Sequence, residues 1–438
     1  MKQNHSIIFV SSITLMKPNS FKLLPFILFV SVLFLIDLYV FKGLKVLLND
    51  IQNTALKKTI LVAHWVVFIT LTIWFFFVLY NASSNPEFKN YKSTYYLIGI
   101  TFLFYLPKVL FSLFIFSDDI IILFKNIYNY FLPSDTKSNG ENISRLKFIY
   151  QLGIGAATIP FIGAAYGMIK GRYDFTIKNI PVKLPHLPNS FEGLTMVQLS
   201  DLHLGSFFND KEPVAKAFQM VKDLNPDILV VTGDWVNNFA NEAEDWIEEF
   251  KSLPAKMAKI AIVGNHDYGD YSAWSSDEKK RQNFDRLIEI HGEMGFQTLL
   301  NENIVLENEG QQLAIIGVEN WGVKPFPQHG DLAKAKIGTE NVPVKILLSH
   351  DPSHFEEIVT KGHPDIDLTL SGHTHGAQFG VELGNIKWSP VKYKYPRWAG
   401  MYEVAHQKLY VNRGFGYLAF PGRIGMPPEI THFTFSKG

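Results

Sequence analysis

Four apolar stretches crowd the chain before residue 170, and they constrain its architecture more than any other feature. Leu23–Phe41, Ile60–Tyr80, Tyr95–Phe116 and Phe148–Ile169 each approach the ~20 residues a helix needs to cross the hydrocarbon core of a bilayer. A secretory signal would supply one shorter stretch and a cleavage site. Four stretches with so few charges predict four transmembrane helices. Gly153, Gly155, Gly163 and Gly167 lie in the fourth. The last two have the small-xxx-small spacing that lets helices approach closely, and Pro160 predicts a bend.

Three ionisable residues, Asp37, His64 and Lys108, fall inside these stretches, where charge is costly and often functional. Asp37 and His64 are similarly far from the connection 42–58, so a helical hairpin places them at similar depth. The bland expectation is an Asp37–His64 pair near the interface with Lys108 reaching for water; a transport role for the spans is the sharper one. Positive charge does not orient the region. Lys42, Lys45, Lys57, Lys58, Lys125, Lys137, Arg145 and Lys147 on one side balance Lys2, Lys17, Lys22, Lys89, Lys92, Lys170, Arg172 and Lys178 on the other. Met16 offers a second start. Ser144-Arg145-Leu146-Lys147-Phe148 resembles a twin-arginine export signal without the paired arginines, and an outward-facing soluble region in a bacterial inner membrane is the expectation.

Domain limits follow from composition: 1–172 as membrane region, 173–193 as a proline-marked linker or first edge strand (Pro181, Pro185, Pro188), and 194–438 as a soluble domain. In the last, Leu194–Leu199, Ile228–Val231, Ile260–Val263, Leu313–Val318, Val344–Leu348 and Ile366–Leu370 read as strands buried on both faces. Ala215–Leu224 and Glu242–Leu253 read as helices. The expected class is α/β, with chemistry at the strand ends.

Five polar clusters stand just after those strands: Asp201-Leu202-His203, Gly233-Asp234, Gly264-Asn265-His266-Asp267, His350 and Gly372-His373-Thr374-His375. The chain contains no cysteine, so any metal is held by nitrogen and oxygen. A single catalytic zinc needs about three protein ligands. Here two carboxylates, an amide and four imidazoles can converge, with His266 to spare, which suits two borderline or hard divalent cations. If the first cluster is extended, residues i and i+2 point the same way and Asp201 and His203 share one ion. His373 and His375 can likewise reach two adjacent ions. Each cluster alone is weak, since Gly-Asp is a common turn and Asp234 could be a helix cap. Five in order are not.

The pattern Asp-x-His, Gly-Asp, Gly-Asn-His-Asp, His, Gly-His-x-His over 195–375 resembles the calcineurin-like metallophosphoesterases, in their bacterial membrane-associated branch. The resemblance implies a four-layer α/β/β/α sandwich with two divalent ions (Mn, Fe, Zn or Co) between the sheets. It implies Asp201, His203 and His375 on the first ion, Asn265, His350 and His373 on the second, and Asp234 between them. His266 would contact the phosphoryl group or leaving oxygen, and Asp267 would orient it. The implied activity is hydrolysis of a phosphodiester, phosphomonoester or pyrophosphate.

Beyond the last motif Phe379, Trp388, Tyr393, Tyr395, Trp398, Tyr402 and Tyr410 crowd the sequence, with Trp321 before His350. These line a substrate site or form the second sheet's core. Arg413, just past a predicted strand, is a candidate phosphate partner. Membrane attachment points to a lipid-linked envelope substrate, and zero net charge offers no case for a nucleic-acid partner. The alternative is a membrane receptor or transporter subunit whose domain binds without hydrolysing; a degenerate donor set would favour it, and none is visible.

Overall fold

A computed structural model of the chain describes residues 23–84, 91–131, 140–384 and 386–438. Lys2, Met16, Lys17, Lys22, Lys89 and Lys137 lie outside the described residues. The chain divides into two compact units between Met168 and Ile169.

In the first unit every apolar stretch is a helix: α1 (Leu23–Leu47), α2 (Thr54–Ser84), α3 (Tyr91–Phe131) and α4 (Gly140–Ile169). All four are long and apolar enough to cross a membrane. No glycine or proline interrupts the chain between Lys108 and Phe131, so α3 runs on past the expected Phe116 to 41 residues, about 62 Å. Leu35, Val62, Ile73 and Ile159 are exposed on the helices, as lipid-facing side chains must be. The buried face of α4 carries Tyr150, Ala157 and Ala164. A Cβ at Gly153 would lie 2.8 Å from Phe111 and 2.9 Å from Phe114, so α4 approaches α3 as closely as its missing side chain allows.

The expected interfacial Asp37–His64 pair is instead a buried four-residue hub. The Asp37 carboxylate is fully buried and accepts from Lys108 Nζ at 2.5 Å and Tyr105 Oη at 2.5 Å, with His64 Nε2 at 3.1 Å. Lys108 therefore turns inward; with no water in the hydrocarbon core, its best partner is the carboxylate. Arg145 pairs with the buried Asp118 at 3.2 Å, and Lys147 with Asp50. Leaving one charge of a buried pair unmatched costs about 3–5 kcal/mol. Asp37→Leu is expected to destabilise the helical unit by about that much, and adding Lys108→Leu to restore most of it. Unfolding midpoints of the two variants in detergent check this; a double variant no better than the single one would contradict the pairing.

The second unit holds β1 (Thr176–Leu184), β2 (Thr195–Leu199), β3 (Ile228–Thr232), β4 (Ala258–Ile262), β5 (Gln297–Thr298), β6 (Glu302–Asn308), β7 (Gln311–Gly317), β8 (Lys345–Leu348), β9 (Leu368–Ser371), β10 (Val381–Leu383), β11 (Ile386–Trp388), β12 (Gly400–Val404), β13 (Gln407–Val411) and β14 (Glu429–Lys437). One six-stranded sheet has the order β1-β14-β2-β3-β4-β5 and the other β12-β13-β9-β8-β7-β6. The β2, β3, β4 and β5 strands are parallel neighbours, as are β7, β8, β9 and β13. Pro181 sits in β1, an edge strand, where a missing N–H donor does least harm.

The period of two along each strand builds the layers. Ile228, Val230, Ile260 and Ile262 of the first sheet share one core with Leu313, Ile315, Ile346, Leu348, Leu368 and Leu370 of the second. On the outer face of the second sheet, Ile316, Val318, Leu347 and Leu409 pack with Leu332, Phe355 and Val359. Against the first sheet lie α5 (Glu212–Leu224), which buries Val214, Ala217, Phe218 and Val221, and the helix Asp277–Glu293. The layering is α/β/β/α. Glu242–Leu253, expected as one helix, is two short ones, Asn241–Glu244 and Ile247–Lys251, and Trp246 between them is fully buried. The helix Asp277–Glu293 has no counterpart among the sequence expectations because its composition is strongly polar.

Candidate metal centre

Parallel strands carry their C-terminal ends to one edge, so loops after β2, β3, β4, β8 and β9 meet between the two sheets. Asp201, His203, Asp234, Asn265, His350 and His375 are buried there, and His373 is partly so. The first cluster is not extended as expected. Asp201 (φ 51°), His203 (φ 45°), Asp234 (φ 56°), His373 (φ 71°) and His375 (φ 50°) all lie in the left-handed region, which non-glycine residues seldom enter. Strain of this kind persists where surrounding contacts over-determine it and clusters at functional sites. Gly372 permits the tight packing: a Cβ there would collide with Ser200 and Asp201.

Two groups of donors result among the described residues. In the first, His203 Nε2 lies 3.1 Å from His375 Nε2 and 3.6 Å from Asp234 Oδ2, and His375 Nε2 lies 3.1 Å from Asp201 Oδ1. In the second, His350 Nε2 is 3.1 Å from Asp234 Oδ2 and 3.3 Å from His373 Nδ1. The latter is 2.8 Å from Asn265 Oδ1. Asp234 belongs to both groups.

Proton placement tests whether cations fit. His350 Nδ1 faces the Thr232 carbonyl at 2.7 Å, which only accepts, so Nδ1 carries hydrogen and Nε2 is left for Asp234. His203 Nδ1 similarly faces Asn237 Oδ1 at 3.1 Å. Lone pairs therefore point at one another and at carboxylates, an arrangement that demands positive charge between them. Burial opposes charge on His350, yet the facing Asp234 carboxylate pushes its pKa up to about 10. Burial alone would raise Asp234, but His350 and His266 hold it well below the usual carboxylate range. Here a proton does what a divalent cation does better: it neutralises a buried carboxylate flanked by nitrogen donors. Burial keeps His203 well below its ordinary value, and His373 is also lowered; both are neutral, as ligands must be. The residues fit divalent metal.

Two expectations are corrected. Asp267 does not orient His266. Its oxygens accept from the backbone N–H groups of Asp234 (2.9 Å), Trp235 (2.8 Å), Val236 (3.3 Å) and Gly264 (2.8 Å), so it ties the β3 and β4 loops together. The Asn237 carbonyl, at 2.8 Å from Nδ1, holds the His266 ring, which is only partly buried. Arg413 is not free for phosphate. It pairs with Glu382 at 2.6 and 3.0 Å and lies 3.5 Å from Glu429.

Residues that the motif pattern could not reveal complete the site. Tyr271 Oη accepts from Asn265 Nδ2 at 2.8 Å, turning the amide oxygen toward His373. Tyr395 Oη lies 2.8 Å from His373 Nε2, and the buried Asp351 Oδ2 3.4 Å from it. If Nδ1 of His373 is the ligand atom, its Nε2–H faces the Tyr395 hydroxyl at 2.8 Å and the Asp351 carboxylate at 3.4 Å. Such partners fix a ligand's ring and tautomer. Asp351→Asn and Tyr395→Phe are expected to weaken metal binding at the His350–His373 group by about 10–100-fold and leave the Asp201–His203–His375 group intact. Metal titration monitored by calorimetry reads the two classes separately. Of the other aromatics, Trp398 and Tyr410 are buried and Tyr393 is exposed, while Trp321 packs on His354 at 5.3 Å.

Comparison with known proteins agrees with this geometry. Residues 194–377 match the family model described as "Calcineurin-like phosphoesterase", and residues 23–172 match one described as "Probable Calcineurin-like phosphoesterase, transmembrane domain". Similar proteins include a "Transmembrane protein with metallophosphoesterase domain" of Danio rerio, 28% identical over 292 residues, or 64% of this chain and 62% of that protein. They also include the "Uncharacterized metallophosphoesterase YkuE" of Bacillus subtilis, 29% identical over 68% of this chain and 99% of that one. The "UDP-2,3-diacylglucosamine pyrophosphatase LpxG" of Chlamydia trachomatis is 29% identical over 58% of this chain and 85% of its own length. This chain spans 62% and 60% of the first two vertebrate relatives it matches.

Proposed function

We propose that the chain, whose residues 194–377 match a calcineurin-like phosphoesterase model and whose residues 23–172 match a transmembrane domain described with it, is a membrane-associated, metal-dependent phosphoric ester hydrolase that cleaves a lipid-linked phosphodiester or pyrophosphate at a centre of two metal ions. The observation that carries this reading is the sharing of Asp234 between two donor groups. Asp201, His203 and His375 would hold one ion and Asn265, His350 and His373 the other, with Asp234, whose Oδ2 faces both groups, shared between them. Bound there, the ions supply charge that neutralises phosphate oxygens and makes water acidic enough to attack. The protein's own contributions are distinct. Buried, pre-set ligands pay the ordering cost during folding. His266, fixed through Nδ1 by Asn237 and left partly open, keeps Nε2 for hydrogen bonding or proton transfer at the phosphoryl or leaving oxygen.

Support for the substrate class comes from membrane attachment and from the relative whose name specifies a diacylated sugar nucleotide pyrophosphatase. The full chain in detergent is expected to bind two ions, to hydrolyse an aryl phosphodiester and a lipid-linked nucleoside diphosphate, and to lose both activities on chelation. Fewer than two ions per folded chain would refute the centre; hydrolysis of the aryl ester alone would refute the lipid substrate. An outward-facing domain in a bacterial inner membrane is the remaining part of the proposal. The chain lacks cysteine, so one introduced at the exposed Ile337 should react with an impermeant maleimide in intact cells; protection there would place the domain inside.

A further inference from the structure

The β10–β11 hairpin is inside out. Val381 pairs with Trp388 and Leu383 with Ile386. Paired residues, and alternate residues along each strand, share a face, so these four form one apolar face and Glu382 and Lys387 occupy the other. A two-stranded ribbon ordinarily turns its apolar face to the protein. Here the charged face is the one held: Glu382 takes the Arg413 fork, while Lys387 donates to the Ala399 carbonyl and lies 4.9 Å from the Trp398 ring. The apolar face is left outside, with Val381 41%, Leu383 70% and Ile386 66% exposed. Lys392, Tyr393 and Lys394 follow, all exposed. We propose that this hairpin, with the basic-aromatic segment after it, is a lip by which the catalytic domain docks onto the bilayer that anchors the chain.

Three observations favour a lipid surface over other occupants of an exposed apolar patch. The last span ends at Ile169 and β1 begins at Thr176, so the chain that links the anchor to the catalytic domain reaches at most about 20 Å fully extended. A tyrosine flanked by lysines beside aliphatic residues suits the interface, with apolar groups at the acyl boundary and ammonium groups on anionic headgroups. The same segment also leads into the metal centre. Tyr395 contacts His373, and Lys394 lies 4.7 Å from the ring of Phe326, which itself packs on His373 at 4.8 Å. Docking by this lip brings the site's aromatic wall to the lipid side. Nothing in the inference needs the centre to be hydrolytic.

The test uses the cysteine-free background. Leu383→Cys, Ile386→Cys and the reference Ile337→Cys, at an exposed apolar residue elsewhere in the domain, are spin-labelled in the full chain and reconstituted into vesicles of phosphatidylcholine and phosphatidylglycerol. Labels at 383 and 386 are expected to lose collisions with a water-soluble nickel complex and gain collisions with oxygen, while 337 stays open to nickel. Lys392→Gln with Lys394→Gln should reduce that protection, most visibly with the anionic lipid present. Nickel access at 383 and 386 equal to that at 337 overturns the proposal. So does dipolar broadening between labels on two chains in place of oxygen contact, which would make the occupant a second copy.

Discussion

Asp234→Asn is expected to empty both donor groups of metal and to cut hydrolysis by on the order of 10³-fold. Asp234 Oδ2 lies 3.1 Å from His350 and 3.6 Å from His203, so among the described residues it is the one negatively charged group that both sets of donors share. An amide keeps the shape but brings no charge and turns one oxygen into a donor aimed at cations. Metal-based stabilisation of developing phosphate charge is worth several kcal/mol, and about 4 kcal/mol corresponds to a thousandfold in rate. Metal content by elemental analysis and turnover of an aryl phosphodiester check it together. A variant that keeps its metal and its rate would show that Asp234 is not the shared ligand. The Oδ1 atom also accepts from the His266 N–H at 2.9 Å; the asparagine can keep that bond through its carbonyl, so the loop is expected to survive.

His266→Ala should behave in the opposite way, keeping metal while losing about 10²–10⁴-fold in kcat, the usual contribution of a positioned proton donor or acceptor. Its ring is held by the Asn237 carbonyl at 2.8 Å and lies 4.4 Å from that of Tyr271, but it belongs to neither donor group. Burial lowers its pKa, against the pull of the Asp234 carboxylate and the Asn237 carbonyl, and the form with both nitrogens protonated is the one that donates to a phosphoryl or leaving oxygen. With Nδ1–H committed to the carbonyl, Nε2 is the atom available to substrate. Lost metal in the alanine variant, or unchanged kcat, would contradict the role. Asp267→Ala is the informative contrast. Burial and the neighbouring Asp234 push its pKa up to about 8, while backbone N–H bonds pull it down, and ions on Asp234 would relieve the repulsion. Its loss leaves buried N–H groups in two ligand loops unpaired, at about 1–3 kcal/mol each. Thermal stability should fall with activity, whereas His266→Ala leaves it unchanged.

How far the chain was legible depended on distance along it. The spans, the strands after which ligands stand and the donor set itself are local patterns, readable from hydropathy and from residue types that bind cations. Asp267 and Arg413 show where local reading stops. Asp267 looked like a partner for its sequence neighbour His266, but its partners include Asp234 and Trp235 from the preceding strand's loop. Arg413 looked like a phosphate ligand, but Glu382, far away in sequence, had already claimed it. Lys108 looked like a residue reaching for water until Asp37 of another helix proved nearer.

Which atoms could bind metal was therefore determined by the order of residues alone, since ligand chemistry resides in side-chain type and apolar periodicity puts those side chains at strand ends. What they do to one another was decided only by tertiary structure. The left-handed backbone at Asp201 and His203, the Tyr395–His373 contact and the outward apolar face of the hairpin each depend on segments that meet through packing. A one-dimensional pattern specifies what a residue can offer; the partner that accepts the offer is chosen by whichever group the folded chain brings within about 3 Å.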